Sequence, residues 1–261
     1  MSETRIVNVR VGLMAAALAL AAGIVVGRLA ATPAPARASV EGPGSSQEPR
    51  GLALPGAGVK RYHVPVTMSQ PTKGSADAIV TIVEWCNFQN SECRRIEPIL
   101  EKILERYGAD ARLVFRHFAG PSTMPHEFAR IAHEQASKFW EAKDLLMRAQ
   151  DEPTRADLEG FAKQIGLDRT ATNSALDRRT HAGHIAADKL FAKMFDVREV
   201  PALFVNGRPL AGEVTLGALE SLIDDERARA QKLVSSGVRR DSIYAELTKN
   251  GDWNRPVGKS R

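Results

Sequence analysis

The 261-residue chain has only two cysteines, Cys86 and Cys93. That scarcity excludes a small domain held by a disulfide framework and a zinc ribbon with paired C-x-x-C motifs. A stripe of one charge sign is also lacking. The net charge is +5, but Lys and Arg are scattered among Asp and Glu, so no nucleic-acid partner is expected. No internal repeat is visible. Special chemistry would have to rest on the cysteine pair.

What is present is apolar material, 43% of the residues, enough for one sizeable core. The N-terminal segments stand apart from it. Residues 11–27 carry no charge between Arg10 and Arg28, and as a helix they would span about 25 Å, near the lower limit for a hydrocarbon core. Residues 1–31 therefore read as a signal anchor or a long secretory signal, with Ala36-Arg37-Ala38 as a small-residue cleavage site. Either way the body is exported, to a periplasmic or extracytoplasmic side, and an uncleaved segment would hold it at the inner membrane. Neighbouring thiols tend to bond in such an oxidising compartment. Residues 32–61, with Pro33, Pro35, Pro43, Pro49 and Pro55 among Ala, Gly and Ser, read as an extended tether.

The body begins near Tyr62 and Val64 and passes a turn at residues 71–77. An apolar strand at residues 79–83 leads through Trp85, Cys86, Asn87, Phe88 and Gln89 into a helix over 91–107, marked by Ile96, Ile99, Leu100, Ile103 and Leu104 and stopped by Gly108. A second strand at 111–118 completes a βαβ unit and favours an α/β layer fold. Helical spacing follows over 126–136, 139–149, 154–165, 168–177 and 184–195, with Thr154 and Asp168 as N-caps and Gly166 as a C-cap. Asn206-Gly207 marks a hairpin between 202–205 and 208–211. Helices over 215–234 and 241–249 close the chain. The charge-rich stretch 225–240 reads as a solvated face, or as a seam against a second copy through Ile223, Ala230, Leu233 and Val234.

In order and spacing these segments resemble the DsbA-like thiol:disulfide oxidoreductases of the thioredoxin superfamily. The matching stretches are Ile79-Val80-Thr81-Ile82-Val83-Glu84-Trp85, Asn87-Phe88-Gln89, Leu113-Val114-Phe115-Arg116-His117-Phe118, Lys138-Phe139-Trp140, Ile165-Gly166-Leu167-Asp168 and Val200-Pro201-Ala202-Leu203-Phe204-Val205-Asn206-Gly207-Arg208. The resemblance implies a thioredoxin-like fold over residues 62–224 with a helical insertion at about 126–195, followed by a separate C-terminal tail over 225–261. It also implies a cis bond at Val200-Pro201, whose backbone, with Phe88 and Gln89 nearby, would receive an extended substrate segment. The expected partners are exported polypeptides or a redox partner protein. No cofactor is expected.

Family members carry C-x-x-C after the Phe-Gln pair, at a helix N-terminus whose free N–H groups stabilise a thiolate. This chain has Asn90-Ser91-Glu92-Cys93 there, so the attacking sulfur is replaced and the resolving one kept. Asn90 is a strong N-cap, and Glu92 would raise the pKa of a neighbouring thiol. Several readings of the pair stay open. Cys93 is a residual monothiol or a structural cysteine, Cys86 is an inward strand residue, or the two form a relocated disulfide; the seven-residue separation permits closure without establishing its geometry.

Other polar residues read more plainly. His181 and His184 lie three apart, but no carboxylate or cysteine visibly converges on them, so they read as a solvated helix face and no metal is expected. His117, His126 and His133 read as surface or packing residues, and Trp85, Phe88 and Trp140 as core or groove-lining aromatics. The sequence thus favours a DsbA-like polypeptide-binding protein with a degenerate site over an active oxidoreductase using Cys93 or a Cys86–Cys93 pair, or a non-catalytic scaffold.

Overall fold

The computed structural model describes residues 60–252. The chain divides into two units, Met1–Arg50 and Gly51–Arg261, and every described residue belongs to the second. The expected signal or anchor at 1–31 and nearly all of the tether lie outside the described residues. Among the described residues no helix is long and apolar enough to cross a membrane.

A five-stranded sheet of order β1-β3-β2-β4-β5 forms the frame, from β1 (Thr72–Gly74), β2 (Val80–Cys86), β3 (Ala111–His117), β4 (Ala202–Val205) and β5 (Arg208–Pro209). Strands β2 and β3 run parallel, joined by α1 (Ser91–Tyr107), and the other pairings are antiparallel. The whole of β2 is buried, as expected of a central strand covered on both faces. Alternation sends Val80 and Ile82 into a cluster with Ile96, Leu100 and Ile103 of α1, and Val83 and Trp85 to the opposite side with Phe195 and Phe204. Helix α1 runs through Pro98, although proline removes one backbone donor, because burial of Ile96, Leu100 and Ile103 outweighs that loss.

Between β3 and β4 lie α2 (Met124–Ala136), α3 (Phe139–Arg148), α4 (Arg155–Gln164), α5 (Arg169–Asp177) and α6 (Ala182–Met194), the helical insertion expected from the resemblance. Local signals place their ends. Thr154 makes a reciprocal capping box with Asp157, Asp168 accepts from the Ala171 N–H, and Gly166 follows α4 in a left-handed conformation.

Two expectations need correction. The segment read as a turn at 71–77 contains β1, whose Thr72, Lys73 and Gly74 pair with Val114, Leu113 and Arg112. Their side chains are exposed, so no apolar alternation marks the strand. The expected break at 224/225 does not exist, since α7 (Leu216–Ser235) runs through it and α8 (Ile243–Thr248) packs on the same core. Ile223 and Ala230 lie in that core, where they face this chain's own α1 and α8. Glu226 explains why a charged stretch is not a solvated tail. It is fully buried, and it takes hydrogen bonds from Arg61 (2.8 and 3.0 Å) and Arg208 (3.0 Å), with Arg229 3.4 Å away.

The hairpin joins this network. Asn206 and Gly207 both have positive φ, 45° and 81°, as the two-residue turn requires. A Cβ on Gly207 would lie 2.2 Å from the Tyr62 carbonyl oxygen. Asn206, fully buried, accepts from the Thr81 N–H at 2.9 Å and donates to the Ile79 carbonyl at 3.0 Å, fastening β4 to the start of β2. Asn206→Ala strands both backbone groups and is expected to cost roughly 2–4 kcal/mol of unfolding free energy. Urea denaturation checks this.

Candidate functional site

The loop from the end of β2 into α1 is held by its own polar groups. Asn90 adopts an extended conformation and its Oδ1 accepts from the Cys93 N–H at 2.9 Å, the N-cap expected from sequence. Asn90 N–H donates to the Asn87 carbonyl at 3.0 Å, and Gln89 N–H to Asn87 Oδ1 at 3.1 Å. One helix donor that would otherwise favour a thiolate, the Cys93 N–H, is therefore taken by an uncharged carboxamide.

Behind this cap, Cys86 and Cys93 form a disulfide with Cα atoms 5.9 Å apart. Both residues are fully buried, and no cysteine of the chain is free. The relocated disulfide is thus the arrangement present, and the residual-thiol reading of Cys93 is corrected. So is the effect assigned to Glu92, which has no thiol to act on and pairs with Arg95 at 2.7 Å on the helix surface. The Asn87 N–H points at Cys93 Sγ, 3.3 Å away.

Phe88 is fully buried, 5.4 Å and 5° from parallel with the Phe115 ring, and it stacks on His126 at 4.4 Å. It offers no surface to a docked segment, so its expected contact with substrate is replaced by a packing role. Gln89 is partly exposed. The Val200-Pro201 bond is cis, and Val200 packs on the cluster that contains both cysteines. Asn90, Cys86, Cys93 and Val200 are therefore brought together, with Gln89 on the connecting loop.

Sequence reasoning missed the ionisable groups around this site. Glu84, two residues before Cys86 and on the same face of β2, is fully buried with neither carboxylate oxygen hydrogen-bonded. Lys143 of α3 reaches toward it, with Nζ 3.6 Å from Glu84 Oε2, but bonds both oxygens of Glu97 at 2.7 and 2.6 Å. Burial lifts the Glu84 pKa to about 7; the nearby Lys143 charge works against this and the Glu97 charge with it. For Lys143, burial opposes the charge, but Glu84 and Glu97 outweigh it and hold its pKa up. Glu84, Lys143 and Glu97 therefore form one interacting buried group, in which Glu84 is the carboxylate whose charge burial opposes most. The available signal was a lone carboxylate in an otherwise apolar strand run.

His117 and His126 are also buried, against the expectation that either could be a surface residue. Their Nδ1 atoms are 3.0 Å apart, and His126 Nε2 lies 3.3 Å from Asn87 Oδ1. Burial pushes the His126 pKa down to about 3. Burial, followed by the charges of His126, Arg130 and Arg116, holds His117 well below its ordinary range. Both are neutral at pH 7.

A family model described as thioredoxin matches residues 67–225, and the chain belongs to that family. Its fold is the DsbA-like form. Oxidised BdbD from Bacillus subtilis is similar with a TM-score of 0.59, 20% identity, and coverage of 65% of this chain and 98% of that one. The thiol-disulfide exchange protein alpha-DsbA2 from Wolbachia pipientis gives 0.55 and 16%, covering 60% and 87%. A periplasmic thioredoxin-like protein from Salmonella enterica serovar Typhimurium gives 0.51 and 19%, covering 61% and 91%. Among curated proteins, the Na(+)/H(+) antiporter NhaA 3 of Salinispora tropica is 34% identical over 223 residues, 82% of this chain and 32% of that protein. The Na(+)/H(+) antiporter NhaA 1 of Salinispora arenicola is 34% identical over 157 residues, 58% of this chain and 24% of that protein. The chain spans about a third or less of the length of these curated relatives.

Alkylation of the folded, unreduced protein is expected to leave both Cys86 and Cys93 unlabelled, and intact-mass measurement checks it. Glu84 generates a second expectation. Its pKa rises from 4.5 to about 7 on folding, so across that window the unfolded chain loses a proton that the folded chain keeps. Stability contributed by this group therefore falls as pH rises from 4.5 to 7. The buried histidines have the opposite slope, since their depressed pKa values cost stability as pH falls below about 6.5. Glu84→Gln isolates the first effect: its unfolding free energy should exceed that of the parent by an amount that grows between pH 5 and pH 8, on the order of 3 kcal/mol. Denaturant titrations across that range measure it.

Proposed function

We propose that the protein is an exported DsbA-like protein that binds extended polypeptides beside the cis-proline segment and does not carry out dithiol exchange there. One observation carries the reading: Asn90 caps α1 where the attacking cysteine of the family stands, while both sulfurs of the chain are bonded to each other and fully buried. Thiol-disulfide exchange needs a thiolate to reach a sulfur, and neither a thiolate nor an exposed sulfur is offered at the loop. The cis Val200-Pro201 bond, where the resemblance places peptide docking, supports the reading. Export rests on the apolar segment at 11–27 and on the periplasmic description of the Salmonella neighbour. Ion transport, the activity named for the curated relatives, is not carried over to this chain.

A second reading keeps the Cys86–Cys93 disulfide as a redox couple with a partner protein. The bond itself favours it, and the complete burial of both residues counts against it. Insulin reduction separates the two. The parent should show no turnover, and Asn90→Cys combined with Cys86→Ala, which places a thiol pair at 90 and 93, should show it. Robust parental turnover abolished by Cys93→Ser would establish the redox reading instead. Binding of an unfolded, fully alkylated client by the parent is expected in the same preparation, and its absence would favour a scaffold.

A further inference from the structure

We propose that Glu134, His181 and His184 form a site for a zinc-like divalent cation between the last turn of α2 and the first turn of α6. One ligating atom from each of the three lies within 4.8 Å of the others. His181 Nδ1 is 3.4 Å from Glu134 Oε1, and the two imidazole centroids are 5.9 Å apart. His181 stands at the position just before α6 and His184 follows in its first turn, so a three-residue spacing brings both rings to one side of the helix. The reading of a solvated helix face holds for the exposed His184 and is corrected for His181, which is only 5% exposed and meets a carboxylate from α2.

A second observation points to a ligand. The buried His181 Nδ1 has no hydrogen-bond partner, an arrangement that costs free energy unless something occupies that direction. Two imidazoles and one carboxylate match the donor set of open zinc sites, whereas calcium and magnesium require oxygen ligands throughout. Glu134 and His184 are exposed, so solvent reaches the site from outside.

The electrostatics define what the cation must overcome. Arg130 donates to Glu134 Oε1 at 2.8 Å, and the positive end of α6 faces the site. Glu134 has 46% of its side chain exposed. It has room to keep Arg130 on one oxygen and turn the other to the metal. Once bound, the ion ties two helices of the insertion together and stabilises the folded state in proportion to its occupancy.

The test uses the chelator-treated, unreduced full chain, whose bonded cysteines cannot compete for metal. Zinc is titrated calorimetrically, and cobalt(II) is followed by its visible absorption. One ion per chain is expected, with ligand-field bands from cobalt. His184→Ala, at an exposed position, and Glu134→Gln should each weaken binding roughly tenfold or more, while His133→Ala on the same α2 should leave it unchanged. Absence of binding, parental affinity in His184→Ala, or an equal loss in His133→Ala would overturn the assignment.

Discussion

The Asn90 carboxamide accepting the Cys93 N–H at 2.9 Å is the interaction on which the functional reading depends. In an exchange-competent member of this fold, the same helix end offers its N–H groups and dipole to a sulfur anion. Here a neutral oxygen takes the bond, α1 starts on a conventional cap, and Cys93 turns inward to the end of β2. Its partner is Cys86, an arrangement possible because the strand end and the first helical turn bring the two Cα atoms to 5.9 Å. The disulfide is a covalent clamp between strand and helix.

The surroundings are consistent with a packed interior rather than a poised nucleophile. Phe88, Phe115, His117, His126 and Phe139 form a buried aromatic set around the loop. Both imidazoles are neutral at pH 7, so they give no cationic support to a thiolate. Glu84 shares the face of β2 that carries Cys86, and its elevated pKa reflects desolvation beside an ion pair that already satisfies Lys143.

Features decided by neighbouring residues were legible in the sequence. Asn90, Thr154 and Asp168 cap helices as read, and Asn206-Gly207 makes the hairpin. The order of elements followed from the same local signals. Features decided by distant partners were not legible. Strand β1 exists because β3 supplies its ladder, and its exposed Thr72 and Lys73 leave no pattern to read. The burial of Glu226 within α7 depends on Arg61 and Arg208 reaching it from elsewhere in the chain. Glu134 meets His181 only because α2 and α6 pack together. At the site itself, the spacing of Cys86 and Cys93 allowed a bond, but only the strand-to-helix geometry chose it. Phe88 looked like a groove residue because the loop was legible and the direction of its side chain was not.

The inaccessibility of the disulfide is most directly measured by its rate of reduction with a small thiol reagent under native conditions, compared with the rate of global unfolding. If Cys86 and Cys93 are sealed beneath the Asn90 cap, reduction proceeds only through unfolding, and the two rates coincide and respond equally to denaturant. Reduction of the folded protein as fast as that of an exposed cystine, independent of its stability, would contradict the central claim.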